Sequence, residues 1–426
     1  MKKLFIYNLV NALQKFLGFI FQLLLARYFG ASLFTDSFFV SMVLVDFLSK
    51  VELSFTEMFV QYYNDLRADN SNQEKIFYQA VFNFSLLIGL ITFIVTTFFV
   101  NPIIHLFVSG FDQERIDLLV SVFNILSFNL IWNRLKELNN SLINAEMRFI
   151  LPYLVSLLTP VSSIVSLLIF STQYGIYPIA ISTLFSDITI LFIQQIYISR
   201  ALNFHYKKVF WHYKFKELIP NSISLRAGNQ LWDLKDLIAA NILSFFPTGT
   251  VSLYLYGSRI MTILFMITTL PSLQVFFSTI SRLVSEKKLT DIKIMFRRTL
   301  IRSMSLFLIS LSLSSIFLPT LIKFFLGQKL SMSDIQVVYD IFISLIPFYV
   351  ILGFESPLVN IITVKRDSLK IIKINVYFIL TFYSCSFLLK NTFGIYTIPA
   401  SLMVAQGQSF VLYAMNVQTF FKQTTD

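Results

Sequence analysis

Cysteine is nearly absent. Cys385 is the one thiol in 426 residues, so neither an internal disulfide nor a cysteine-based metal cluster can form. Histidine is almost as scarce, and His105, His205 and His212 are too few and too scattered for a metal centre. Charged residues make up 13% of the chain against roughly 25% in an ordinary soluble domain, while 56% are hydrophobic, which excludes an ordinary soluble fold. There is no G-x-x-x-x-G-K-[ST] loop to cradle ATP phosphates, no G-x-S-x-G elbow and no H-E-x-x-H pair. We therefore expect no ATP-driven pump, no catalytic or metal-ligating residues, no bound cofactor and no enzymatic activity. Room for a large extramembrane domain is lacking too. About twelve spans of about 20 residues take about 240 residues, and turns and helix extensions use most of the remainder.

What is present is a succession of long apolar runs. They predict helices at about 4–26, 33–60, 77–108, 115–138, 150–171 and 176–199, then at 221–245, 250–284, 296–325, 335–363, 368–389 and 394–420. Met1 to Lys3 and the following apolar stretch imitate a signal peptide, but Asn8, Asn11, Gln14 and Lys15 interrupt it and no A-x-A-like cleavage site follows, so a retained first helix is expected. The expected architecture is all-α and polytopic, with about twelve transmembrane helices in two pseudo-symmetric six-helix bundles. Residues 1–200 form the N-terminal bundle, 201–220 a basic linker and 221–426 the C-terminal bundle.

The net charge of +11 would raise the question of nucleic acid in a soluble protein. Here it follows membrane topology. If Met1 is cytoplasmic, far more lysines and arginines fall in loops on its side, Arg134, Lys136, Lys207 and Lys208 among them, than on the side of Arg115 and Lys323. The positive-inside rule then places both termini in the cytoplasm and leaves no surplus to assign to nucleic acid. The linker stretch NFHYKKVFWHYKFK, Asn203 to Lys216, alternates aromatic and basic residues. It reads either as an interfacial helix on anionic lipid or as a solvated basic connection.

Ionised side chains at the centre of a lipid-facing helix cost roughly 2.5 to 3.5 kcal/mol each, so those inside the spans need a cavity or a partner. The first helix places Asn8, Asn11, Lys15, Gly18 and Gln22 on one face by their spacings of three and four. In the second, Asp36 stands near the start, and Asp46 and Lys50 are one turn apart and able to pair, with Glu57 further along the same face. The seventh is the most polar, with Arg226, Asn229, Asp233 and Asp236 in one stripe. The eighth carries Arg259, which has no carboxylate three or four residues away. Lys15, Lys50, Arg226 and Arg259 come from the first two helices of each half, an arrangement expected to converge on the axis between the halves. Four cations around one cavity imply an anionic substrate, and the planar fork of arginine suits phosphate. They equally form an internal salt-bridge network with Asp46, Asp233 and Asp236, and the two readings can coexist. Asp187 and Glu355 stand alone and read equally well as interhelical hydrogen-bonding residues.

The stretch ARYFGASLFTDSFF, Ala26 to Phe39, resembles the start of the MurJ/MviN lipid II flippases, in which an A-R-x-F-G-A turn is followed by T-D-A-F-F. In the other half, DLIAA from Asp236 and then GTVSLYLYGSRI resemble that family's D-x-x-[IL]-A-S and G-x-[VI]-S-x-L-x-Y-A-x-R-L, with STISRL following where the family has P-x-L-S-R. The resemblance implies the MOP exporter superfamily: two six-helix bundles rocking between inward-open and outward-open states. It implies translocation of an undecaprenyl-pyrophosphate-linked saccharide, lipid II or a related oligosaccharide, to the outer leaflet of the bacterial cytoplasmic membrane. The partners would be that lipid, the bilayer and enzymes of cell-wall or polysaccharide synthesis. By the same resemblance Lys15, Lys50 and Arg259 grip the pyrophosphate, and Asp36 and Asp236 match family acids. Sodium or proton coupling would run through Asp46, Asp233 or Asp236, with the membrane potential as a further drive. Two departures stand out. Phe21 and Gln22 replace an R-D pair, and twelve helices are read where lipid II flippases commonly have fourteen. They keep a Wzx-type O-antigen or capsule flippase open as an alternative, ahead of a multidrug exporter of the same superfamily or a membrane polysaccharide polymerase.

Overall fold

The structure is a computed structural model that describes every residue except 1, 52–53, 69–72, 149, 205, 286–288, 327–328, 365–366 and 424–426. The side chains of Asn8, Asn11, Glu57, Asn229 and Arg282 also lie outside the described residues, as does His205. The described residues form α-helices and no strand. In order they are α1 (Lys2–Phe29), α2 (Leu33–Val51), α3 (Ser54–Ala68), α4 (Gln73–Phe98), α5 (Val100–Phe107), α6 (Gln113–Leu126), α7 (Asn129–Ala145), α8 (Ile150–Ser156) and α9 (Leu158–Tyr174). There follow α10 (Tyr177–Ala201), α11 (Phe215–Ser244), α12 (Thr250–Thr268), α13 (Leu270–Ser285), α14 (Leu289–Leu326), α15 (Met332–Ser344), α16 (Ile346–Val364), α17 (Ser368–Phe393) and α18 (Thr397–Gln423).

Several of these are halves of one long rod, and proline explains some of the breaks. Pro271 and Pro347 stand second in α13 and α16, where a missing N–H is tolerated at the start of a helix but would interrupt its middle. Among the described residues, eight stretches are long and apolar enough to cross a membrane, and the longest, Leu369–Thr419, holds most of α17 and α18. With α1, α2 plus α3, and α11, the described residues form twelve rods. The chain is thus an all-α, multi-pass membrane protein. Only 22% of the apolar window in Asp291–Lys323 is buried, and Leu313, Ile316 and Phe317 there point outward, as hydrocarbon-facing residues would.

The chain divides into two compact units. One comprises Met1–Leu25 and Ser32–Gln230, the other Ala26–Ala31 and Leu231–Asp426. The division falls inside α11 and not at the linker, so residues 221–230, expected in the C-terminal bundle, belong with the first unit. In that unit Phe59, Tyr62, Tyr63, Phe77, Tyr78, Leu138, Phe204 and Phe215 form one core. In the second, Phe276, Ile280, Leu358, Ile361, Ile374 and Tyr413 form another.

The linker departs from the interfacial helix considered for it. Among the described residues between Ala201 and Phe215 no helix forms; the chain turns at Asn203, whose φ is +56°, and from Tyr206 runs as an open strap. The reason lies on α4, where the Asn83 amide donates to the carbonyls of Lys207 and Val209 at 2.9 and 2.8 Å, and the Lys207 N–H donates to Gln79 at 3.4 Å. Backbone groups that a helix would pair internally are taken by side chains far away in sequence.

Candidate functional site

The two motifs that carry the family resemblance meet within the second unit. Gly249, just before α12, has φ of +92°, and a Cβ there would lie 2.7 Å from the carbonyl oxygen of Ala31. Any larger residue would meet both left-handed strain and a backbone clash. The buried Tyr256 hydroxyl donates to the Gly30 carbonyl at 2.9 Å. These residues therefore fix the turn that follows α1 and the start of α12, the helix from which Arg259 projects.

Lys15 is half-buried on α1. One turn on, a Cβ added at Gly18 would meet nothing within 4 Å, so this face of α1 borders open space. On α2, Asp36 is fully buried near the N-terminus. Asp46 and Lys50 form the expected pair, Nζ to Oδ2 2.7 Å, with 62% of the Asp46 side chain and 31% of the Lys50 side chain still exposed. Arg226 on α11 is buried, at 7% exposure, and its Nη2 donates to Gln230 Oε1 at 3.2 Å. The Gln230 amide then donates to the carbonyl of Phe47, the neighbour of Asp46, also at 3.2 Å. Arg226, Asp46 and Lys50 are therefore brought to one stretch of the first unit.

The second unit holds the remaining candidates. Arg259 on α12 and Asp233 on α11 are half-buried. Asp236 is largely exposed and pairs at 3.3 Å with Lys235, whose ammonium lies 4.8 Å from the centre of the Trp232 ring. Lys235, outside the stripe of Arg226, Asn229, Asp233 and Asp236, thus supplies the counter-charge to Asp236.

One polar region escaped the sequence reading. Lys136 and Arg134, counted above among cytoplasmic loop cations, lie inside α7. Lys136 donates to Asp187 on α10 at 2.6 Å and to Asn133 at 3.0 Å, with only 18% and 5% of the Lys136 and Asp187 side chains exposed. Arg134 is 2% exposed. The seam continues through Tyr78 to Asn139 at 2.7 Å, Asn139 to Gln195 at 3.3 Å, and Gln194 to Asn140 at 2.7 Å. This corrects their reading as loop residues, because both are held inside a helix and are largely buried. It also places Asp187 as an interhelical partner. The available signal was two polar stripes, Asn133, Lys136 and Asn140 on α7 and Asp187 and Gln194 on α10, each at helical spacing. In the second unit Glu355 is buried on α16 and faces Gln406 and Ser409 of α18.

Among solved structures, the chain is similar to a lipid II flippase MurJ in an inward closed conformation, with a TM-score of 0.83 at 20% identity over 97% of this chain and 87% of that one. An inward-facing multidrug resistance MATE family transporter of the MOP superfamily gives 0.74 at 14% identity, over 97% and 96%. At these identities the likeness concerns the fold, which is that of the MOP transporters. By sequence, the chain is 25% identical over 272 residues to a probable lipid II flippase MurJ of Buchnera aphidicola subsp. Acyrthosiphon pisum (strain APS), covering 61% of this chain and 52% of that protein. It is 28% identical over 189 residues to the lipid II flippase MurJ of Thermosipho africanus (strain TCF52B), covering 44% and 39%. The chain thus spans about half the length, or less, of the curated relatives it matches. The profile of the family described as lipid II flippase MurJ matches residues 25–423, nearly the whole chain, and on that match the chain belongs to the MurJ lipid II flippase family.

Proposed function

We propose that this protein moves lipid II, an undecaprenyl-pyrophosphate-linked saccharide, from the inner to the outer leaflet of the bacterial cytoplasmic membrane for peptidoglycan synthesis. It is a transporter and not an enzyme. The observation that carries this reading is the family match over residues 25–423. It favours lipid II over an O-antigen or capsule repeat unit, and the MATE likeness, at 14% identity, supports the fold alone.

The residues fit that cargo. A pyrophosphate crossing hydrocarbon needs fixed cations that remain within its reach, and Lys15, Lys50 and Arg259 are each only half-buried. Arg226 is buried and tied through Gln230 to α2, so it acts on Lys50 and Asp46 from behind. In this reading Lys15, Lys50 and Arg259 each bind the head group during its passage while the polyprenyl tail stays in the bilayer. A potential negative inside contributes roughly 2.3 kcal/mol per charge per 100 mV to outward movement of an anion. Protons or sodium ions bind at Asp46, Asp233 or Asp236 to couple the cycle, and both termini face the cytoplasm.

Lys15→Ala and Arg259→Ala are expected to abolish rescue of a flippase-depleted strain while the protein still accumulates in the membrane. Full rescue by both variants would overturn the assignment. Rescue of an O-antigen defect without rescue of cell-wall synthesis would move the cargo to the Wzx-type alternative.

A further inference from the structure

The strap between α10 and α11 has two faces. Phe204 and His212 are buried, with 4% exposure each, and Phe215 at the start of α11 is buried beside them. Phe204 packs edge-on against Tyr78 at 5.6 Å and His212 edge-on against Phe77 at 5.2 Å. The other face carries Tyr206, Phe210, Trp211 and Tyr213, each more than half exposed, together with the exposed Lys207 and Lys208. Four large aromatics in one short segment are not left outward by lack of anchorage, because Asn83 holds the strap at two carbonyls.

The depth of the strap follows from α4. One turn beyond Asn83, at a rise of about 6 Å, an exposed apolar stripe begins with Leu87 and continues through Leu90, Ile91 and Ile94. That stripe faces hydrocarbon, so the strap lies at the border of the hydrocarbon layer. Aromatic rings are favoured there because they present an apolar body and a polar edge, and lysines are favoured beside them where the leaflet is anionic. Lys207 and Lys208 have no carboxylate neighbour in the strap, whereas Lys214 is paired with Glu217 at 3.3 Å.

We infer that this strap is a binding surface for anionic phospholipid head groups, with Phe210 and Trp211 seated at the hydrocarbon border and Lys207 and Lys208 on the phosphates. The surface is separate from the transport site and does not depend on the cargo. Its chemistry selects leaflet charge and not a particular lipid. Because the strap is tied to α4 through its backbone, the bound lipids brace the link between the first unit's last two helices, α10 and α11.

The test uses the full chain with Trp132→Phe and Trp232→Phe, which leaves Trp211 as the sole indole. The protein is reconstituted in vesicles of phosphatidylcholine alone or with phosphatidylglycerol, and Trp211 emission is quenched by lipids brominated near the head group or by aqueous acrylamide. Lipid-borne quenching is expected to dominate with phosphatidylglycerol and to weaken with salt. Each lysine contributes about 1 kcal/mol near an anionic surface, about fivefold, so Lys207→Ser with Lys208→Ser is expected to weaken phosphatidylglycerol binding about 25-fold. Both side chains are exposed, so their loss leaves the bonds from Asn83 to the backbone in place. Asn83→Ala, which frees the strap, is expected to lower lipid quenching as well. Equal and full acrylamide quenching in both vesicle types would overturn the proposal. So would protection of Trp211 that appears only on adding a cytosolic extract, which would make the strap a protein-docking face.

Discussion

Two charged regions of the first unit, both inside helices, are built in opposite ways. Lys136 and Asp187 reach across from α7 to α10, are nearly buried and are framed by amides. Asp46 and Lys50 are neighbours on one helix, and more than half of the Asp46 side chain remains open. A pair of the first kind satisfies itself and holds helices together. The second kind is neutral overall yet still accessible, so a ligand can compete for Lys50. Asp46 at 62% exposure cannot face lipid without a cost of roughly 2.5 to 3.5 kcal/mol, so its surroundings are aqueous. The lesson is that exposure and partner distance separate structural from functional charge in these helices, where composition alone does not.

The sharpest way to break this contrast is to remove one partner from each pair. Asp187→Ala leaves a buried ammonium without its carboxylate and is expected to cost about 3 to 5 kcal/mol, seen as loss of folded yield or a large fall in Tm in detergent. Replacing both, Lys136→Met with Asp187→Leu, is expected to restore most of that stability, because the desolvation cost disappears along with the attraction. Asp46→Ala is expected to cost about 0.5 kcal/mol or less, within the range of exposed pairs one helical turn apart. If Asp46→Ala destabilised as much as Asp187→Ala, the distinction would collapse. Between these extremes, Tyr78→Phe removes a neutral hydrogen bond to Asn139 and is expected to cost about 1 kcal/mol, measured by thermal unfolding.

The strap adds a pH-dependent contrast. Burial, and next the charge of Lys214, hold the His212 imidazole below its ordinary value of 6.5. Its Nδ1 accepts from the Lys214 N–H at 3.3 Å, which requires that nitrogen to be unprotonated. Above pH 6.5 the docked and undocked states are both neutral, so this residue makes stability independent of pH there. As pH falls through 6.5 the undocked imidazole takes up a proton that the docked one refuses, so docking weakens until the lower, docked value is passed. Strap opening at Lys214 and Phe215, read as amide exchange divided by the intrinsic exchange rate at each pH, is expected to increase between pH 7 and pH 5, and His212→Phe should remove that dependence. Exchange at Lys136, in the α7 seam, should not follow the same curve.

The twelve rods were legible in the sequence because each is a long apolar run, whereas the breaks at Pro271 and Pro347 fall inside the spans expected at 250–284 and 335–363 and were not anticipated. The pairing of Asp46 with Lys50 was legible because one turn of helix contains it. Lys136 with Asp187 was not, since the partners are 51 residues apart, Lys136 read as a loop cation and Asp187 as a residue standing alone. The open course of the strap, one of two readings the sequence allowed, could not be chosen for the same reason. Its alternating aromatic and basic residues were plain, but Gln79 and Asn83, which keep it open, lie more than a hundred residues earlier. Local pattern revealed local partners, while contacts across the bundle required the fold.

The central claim is that Lys15, Lys50 and Arg259 serve the cargo whereas Lys136 and Asp187 serve the scaffold. The most direct measurement is native mass spectrometry of the purified protein with added lipid II, comparing Lys15→Ala, Lys50→Ala and Arg259→Ala with the Lys136→Met, Asp187→Leu double variant. The account predicts that the first three lose the bound lipid while unfolding at an unchanged temperature, and that the double variant keeps it. Retention of lipid II by all three single variants, or its loss from the double variant alone, would contradict the account.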